Sequence, residues 1–285
     1  MNHTLQNQGK GAAANSKKSA LLASNPVMRR LNKIDEVSET NSATYGGIVV
    51  KTIYFMLFTI AGIVLHVVLE NYLATGQLVE FSIRDFPVSL YTGELIALGA
   101  SVILAIVFQL LAFFARATTP VTGALYCVTQ GYMIAFIVFK VLKGYEYLGA
   151  LALAITLVII LTMSILYATG IIRVTKKFKM VMITLFVTVI GSSLLVLVGS
   201  FIPFTRPLVA QMQSNYPLTI AVGVIFIIIA ALFLICDFDT IDHVVNDKLP
   251  KKYEWGAAFG LAFTFIWLYL KVLDLIMTIA GNNKN

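Results

Sequence analysis

The stretch Cys236-Asp237-Phe238-Asp239-Thr240-Ile241-Asp242-His243 places three carboxylates and an imidazole within eight residues, directly after a long apolar run. Charge is costly beside hydrocarbon, so a group of this density calls for a purpose. Carboxylate oxygens are the hard ligands that calcium takes, which makes Asp237, Asp239 and Asp242 candidate ligands of a cation. Crowded carboxylates also resist ionising together, so the same three can act as a proton sensor. On a helix Asp237 and Asp239 point to different faces, whereas Asp239 and His243 stand four apart and share one. The plain alternative is solvated charge at headgroup level. The preceding run 218–235 has 18 residues, about 27 Å of helix, so Asp237 would fall near its end.

Other polar groups interrupt the apolar runs. Lys271 and Asp274 lie three apart inside the last one, a spacing that reads as an internal salt bridge on a face turned into a bundle. Glu94, Gln109 and Gln130 read as single cross-links between helices. His66 and Glu70, four apart near the end of the first run, read as an interfacial pair. No P-loop, nucleotide fingerprint, metal-hydrolase motif or Ser–His–Asp constellation stands in a loop long enough to hold one. The expectation is a protein that is not an enzyme, with a membrane protease left formally open. No cofactor is expected, and Cys127 and Cys236, both inside apolar runs, form no disulfide framework.

What positions these groups follows from composition. Of 285 residues 59% are hydrophobic and 12% charged, against roughly 25% charged in a soluble domain. The solvent for most of the chain is therefore lipid. Seven runs, at about 47–69, 88–114, 122–142, 148–170, 180–202, 218–236 and 256–280, are long enough to span hydrocarbon as helices. Pro87, Pro120, Pro203, Pro207, Pro217 and Pro250 fall between them, where a missing N–H costs little. With the N-terminus cytoplasmic, the inner segments hold fourteen Lys and Arg residues, including Arg116, Lys179 and Lys252. The outer ones hold five: Arg84, Lys140, Lys143, Arg206 and Lys284. Positive-inside bias then sets that orientation. The expected fold is all-α: a polytopic membrane protein with a seven-transmembrane-helix bundle over 46–285. A basic, mostly disordered cytoplasmic tail over 1–45 precedes it, its part 25–31 meeting the membrane surface. The tail is not a signal peptide, since no apolar h-region follows its basic residues closely. The net charge of +7 suits anionic headgroups, and nucleic acid is not an expected partner.

Several segments resemble the bacterial branch of the Bax inhibitor family. They are Asn25-Pro26-Val27-Met28-Arg29-Arg30-Leu31, Ala43-Thr44-Tyr45-Gly46-Gly47-Ile48 and Pro120-Val121-Thr122-Gly123-Ala124-Leu125-Tyr126 with Gly131. Thr169-Gly170-Ile171-Ile172-Arg173-Val174-Thr175, Asp237-Phe238-Asp239, Tyr253-Glu254-Trp255 and Trp267-Leu268-Tyr269-Leu270 fit as well. The resemblance implies seven helices with the last surrounded by the other six. It also implies a pH-sensitive calcium leak across a cell (plasma) membrane, calcium being the transported ion. In such a leak an aspartate pair on the sixth and seventh helices shares a proton, and Asp237 matches the sixth-helix member. The partner position falls on Thr264 or Lys271, neither a carboxylate, with Glu254 or Asp239 as substitutes; Glu254, Lys271 and Asp274 are thus pore or gating candidates. Some bacterial relatives instead modulate a membrane quality-control protease by binding it, in which case the acidic cluster is structural. A proton-coupled transporter is a third reading.

Overall fold

The computed structural model describes residues 41–83, 86–115, 117–202, 204–205, 207, 211 and 215–282. The tail over 1–40, with its segment 25–31, and Arg84, Arg116, Arg206 and Lys284 of the charge comparison lie outside the described residues.

Several helices start where the sequence supplies a partner for their free N–H groups. Thr44 caps α1 (Tyr45–Leu73), its Oγ1 accepting the Gly47 N–H at 3.0 Å. Glu94 in the first turn of α2 (Thr92–Phe114) reaches back to accept the Tyr91 N–H at 2.9 Å. α3 (Thr119–Phe136) carries Pro120 in its first turn, where no N–H is needed, and continues into one π-helical turn, Ile137–Val141. α4 (Tyr147–Ala168) follows, and then α5 (Lys176–Phe201), capped by Thr175 accepting the Phe178 N–H at 3.1 Å. α6 (Tyr216–Asn246) is capped by Asn215 with Pro217 in its first turn, and α7 (Lys252–Asn282) closes the fold. Among the described residues six helices are long and apolar enough to cross a membrane: α1, α2, α3 with its π turn, α4, α6 and α7.

Two departures from the expected bundle stand out. The chain is not purely helical, because Leu78–Ile83 (β1) and Phe86–Tyr91 (β2) pair as an antiparallel hairpin between α1 and α2, Leu78 facing Tyr91 and Ile83 facing Phe86. Residues 88–91, expected to open the second span, are strand. The cause is alternation: Phe86, Val88 and Leu90 are buried while Pro87, Ser89 and Tyr91 point outward, the period-two pattern of a pleated strand. α6, in turn, does not stop at Cys236. It runs ten residues further, so all of Asp237, Asp239, Asp242 and His243 are helical.

α7 packs against α1, α2, α3, α4 and α6, and it buries residues on all sides, from Ala258, Phe259 and Leu261 to Leu273 and Met277. α1 and α3 meet backbone to backbone. A Cβ on Gly131 would overlap the Thr59 carbonyl, and one on Gly62 would overlap that of Val128. In lipid such close approach supplies the van der Waals contact that holds helices together.

Candidate functional site: the acidic end of α6

Because α6 continues past Cys236, its three aspartates leave the helix in different directions. Asp239 faces α5, where Lys179 Nζ lies 2.5 Å from Oδ2; His243 Nε2, one turn on, is 3.7 Å from the same oxygen. Asp242 is held by two phenols, the Tyr45 hydroxyl donating to Oδ1 at 2.8 Å and the Tyr167 hydroxyl to Oδ2 at 2.5 Å. Asp237 turns toward α7, where the Thr264 hydroxyl stands against its carboxylate and a Cβ on Gly260 would lie 3.8 Å from Oδ1. Among the described residues no three His, Cys, Asp or Glu side chains gather into a metal-holding group. The reading of Asp237, Asp239 and Asp242 as ligands of one cation is corrected accordingly: they sit on separate faces, and two are occupied by partners of their own.

Asp239 Oδ2 and Asp237 Oδ2 are both buried without a hydrogen bond among the described residues, but only Asp239 has a cation, Lys179, against it. Asp237 belongs to the wall of a pocket of about 570 Å³ between the α2–α3 corner, α6 and α7. Ala112, Phe113 and Phe259 supply apolar walls, while Thr119, Thr240 and Lys252 add polar groups. A carboxylate left without a full set of partners is expensive to keep, so its retention here marks the place where a proton or cation would have most effect.

The structure decides which α7 residue opposes Asp237: it is Thr264, not Lys271. Lys271 stands seven residues further along α7, about 10 Å away along the axis, with its Nζ 4.9 Å from the Phe226 ring of α6. Asp274 is half-buried one turn beyond, and neither residue lines the Asp237 pocket. Nor do Glu254 and Asp239 replace the missing carboxylate. Glu254, 1% exposed, accepts the Thr44 N–H at 2.8 Å and forms an ion pair with Lys51, whose ammonium also lies 5.1 Å from the Trp255 ring. Around this pair the segment before α1 runs along the α6–α7 turn, with the Ala43 N–H donating to Leu249 O at 2.7 Å and the Lys251 N–H to Asn41 O at 3.0 Å. Glu254 is thus a clasp joining the start of α1 to the start of α7, and a carboxylate at the start of α1 suits the helix dipole.

The expected pairing of His66 with Glu70 is also replaced. Glu70 and Glu94 both bind Lys140, at 2.8 and 2.7 Å, while His66 is buried edge-on to Tyr132 at 4.9 Å between ring centroids. The partners Lys179, Tyr45 and Tyr167 were not singled out from sequence. Only Tyr45 carried a signal, lying in the same Thr-Tyr-Gly-Gly segment whose Thr44 meets Glu254.

The family model described as Bax inhibitor 1 like matches residues 12–281, and the chain belongs to that family. Two of its resembling segments, around Thr44 and around Glu254, are each other's contacts across the clasp. Comparison with curated proteins finds no significant relative.

Proposed function

We propose that this Bax inhibitor family membrane protein is a pH-sensitive calcium leak of the plasma membrane, with α5 as its seventh crossing and the N-terminus cytoplasmic. The observation that carries the reading is the buried, part-unpartnered carboxylate of Asp237 on the wall of the pocket between α6 and α7. Ionised, it draws a cation into the pocket; protonated, it loses that attraction and the helix contact around Thr264 changes. Calcium held tightly takes six to eight oxygen ligands. One carboxylate with a neighbouring hydroxyl offers far fewer, which suits passage, where binding must be weak enough to release the ion. Because Thr264 stands where a carboxylate partner would be, Asp237 titrates alone and shares no proton. Lipid and the transported ion are then the immediate partners, and no catalytic step is assigned.

The test is calcium-dye flux into liposomes holding the purified full chain, between about pH 5 and pH 8, the range over which carboxylates with raised affinity and histidines titrate. Flux that varies with pH in the native chain and loses that dependence in Asp237→Asn supports the reading. Unchanged flux and pH dependence in Asp237→Asn refutes it.

A second reading has its own support. Asp239 and Asp242 are engaged by Lys179, Tyr45 and Tyr167, as expected of an acidic segment that braces helices. On that basis the protein would be a non-transporting regulator that binds a membrane quality-control protease. It predicts no flux at any pH from folded protein, and co-purification with the protease.

A further inference from the structure

Near the other end of α1 lies a second group of buried titratable side chains that the Asp237 pocket does not use. His66 is 4% exposed, and neither ring nitrogen has a hydrogen-bond partner among the described residues. His66 and Lys51 are fifteen residues apart on α1, about 22 Å of helix, which separates this group from the clasp. The ring is bordered by the edges of Tyr132 and Phe136 on α3. The charged groups acting on it come from three elements: Glu70 one turn on along α1, Glu94 from the start of α2, and Lys140 from the π turn that ends α3. Lys143 stands further out, on the turn after α3, and acts on Glu70.

The arrangement is unbalanced in a specific way. Lys140 alone holds two carboxylates, Glu70 at 2.8 Å and Glu94 at 2.7 Å. Glu94 is further fixed by the Tyr91 N–H at 2.9 Å, whereas Glu70 keeps 40% of its side chain exposed and is the freer of the two. With His66 neutral, the group of two carboxylates and one ammonium carries one surplus negative charge. A single proton on the imidazole would cancel it. An imidazolium buried among aromatic rings needs a carboxylate, and the one within reach on its own helix is Glu70, four residues away.

We infer that His66, Glu70, Glu94 and Lys140 form a proton-operated latch at this end of the bundle, in which a protonated His66 takes Glu70 away from Lys140. The Lys140–Glu70 bond is a cross-link between α1 and the end of α3; the His66–Glu70 bond lies within α1 alone. Proton uptake therefore exchanges an interhelical tie for an intrahelical one, while Glu94 keeps Lys140. The π turn carries Lys140 and is the element placed to respond, since such turns interrupt the regular hydrogen-bond ladder and are frequent at functional sites. The latch does not depend on the calcium reading, because it uses none of the residues around Asp237.

The test is hydrogen–deuterium exchange of the full chain in lipid nanodiscs at pH 8 and pH 5, corrected for intrinsic exchange rates. Peptides covering 66–73 and 137–147 are followed. In the native chain their exchange rises at pH 5 by about tenfold, the size set by losing one charge-assisted hydrogen bond. In His66→Gln the rise is absent. In Glu70→Gln, which has no tie to release, exchange is fast at both pH values and does not depend on pH. Asp237→Asn keeps the native response. No rise in the native chain, a rise of native size in His66→Gln or Glu70→Gln, or its loss in Asp237→Asn would each overturn the latch.

Discussion

Substituting Glu254 by Gln removes one charge from a buried ion pair while keeping the side chain's shape. The carboxylate accepts the Thr44 N–H at 2.8 Å and pairs with Lys51, with 2% of the Glu254 side chain and 19% of the Lys51 side chain exposed. Gln keeps an oxygen for the Thr44 N–H, so that bond is weakened rather than lost. The dominant cost is the Lys51 ammonium, left largely buried without a counter-ion, and breaking such a pair by removing one partner costs about 3–5 kcal/mol. Some relief comes from the Trp255 ring, 5.1 Å from the ammonium, a contact worth about 1 kcal/mol. A net loss of about 3 kcal/mol is expected, which for a chain of this size lowers the unfolding midpoint by roughly 6–12 °C. The assay is thermal unfolding of the full chain in one detergent at one scan rate, for the native chain, Glu254→Gln, Lys51→Met and the double variant. Lys51→Met leaves the carboxylate buried and unpaired, and it should cost as much. In the double variant no charge remains to be buried, so its midpoint should lie above that of either single variant. A midpoint within 2 °C of native for Glu254→Gln (below about 1 kcal/mol on the same scaling), or strictly additive losses in the double variant, would refute the view of this pair as a coupled clasp.

Three further outcomes follow from particular contacts. Gly131→Ala drives a methyl group into the Thr59 carbonyl, so α1 and α3 must separate; a loss of about 1–3 kcal/mol is expected, read as a lower midpoint in the same unfolding assay. Tyr167→Phe removes the donor 2.5 Å from Asp242 Oδ2 while leaving Tyr45 on Oδ1, so stability should fall by about 1.5–3 kcal/mol and adding Tyr45→Phe should cost more than the sum of the two. Thr264→Asp sets a second carboxylate against Asp237. Two carboxylates at one site resist double ionisation, so the calcium flux profile should shift its midpoint toward higher pH; an unshifted profile would show that Thr264 does not face the responsive group.

The composition and the apolar runs determined the helical character and the approximate place of six helices long and apolar enough to cross a membrane, because the cost of exposing backbone and charge to lipid constrains each segment locally and leaves a continuous signal in the chain. The same local physics singled out the α6 aspartates as unusual. The hairpin between α1 and α2 was legible in principle, since Phe86, Val88 and Leu90 alternate with Pro87, Ser89 and Tyr91, but those residues are also apolar enough to read as the beginning of a span. What a charged side chain does was decided by tertiary structure alone. Spacing placed His66 beside Glu70 and Lys271 near Asp274, yet Glu70 went to Lys140, and Thr264 rather than Lys271 came to face Asp237. Glu254, a candidate for the missing carboxylate, is held by Thr44 and Lys51, more than two hundred residues away in the chain. Periodicity along one helix fixes which residues share a face, but the partner across the interface depends on how far neighbouring helices slide and turn. That is settled by contacts such as those of Gly62 and Gly131, where the absence of a side chain lets two backbones meet.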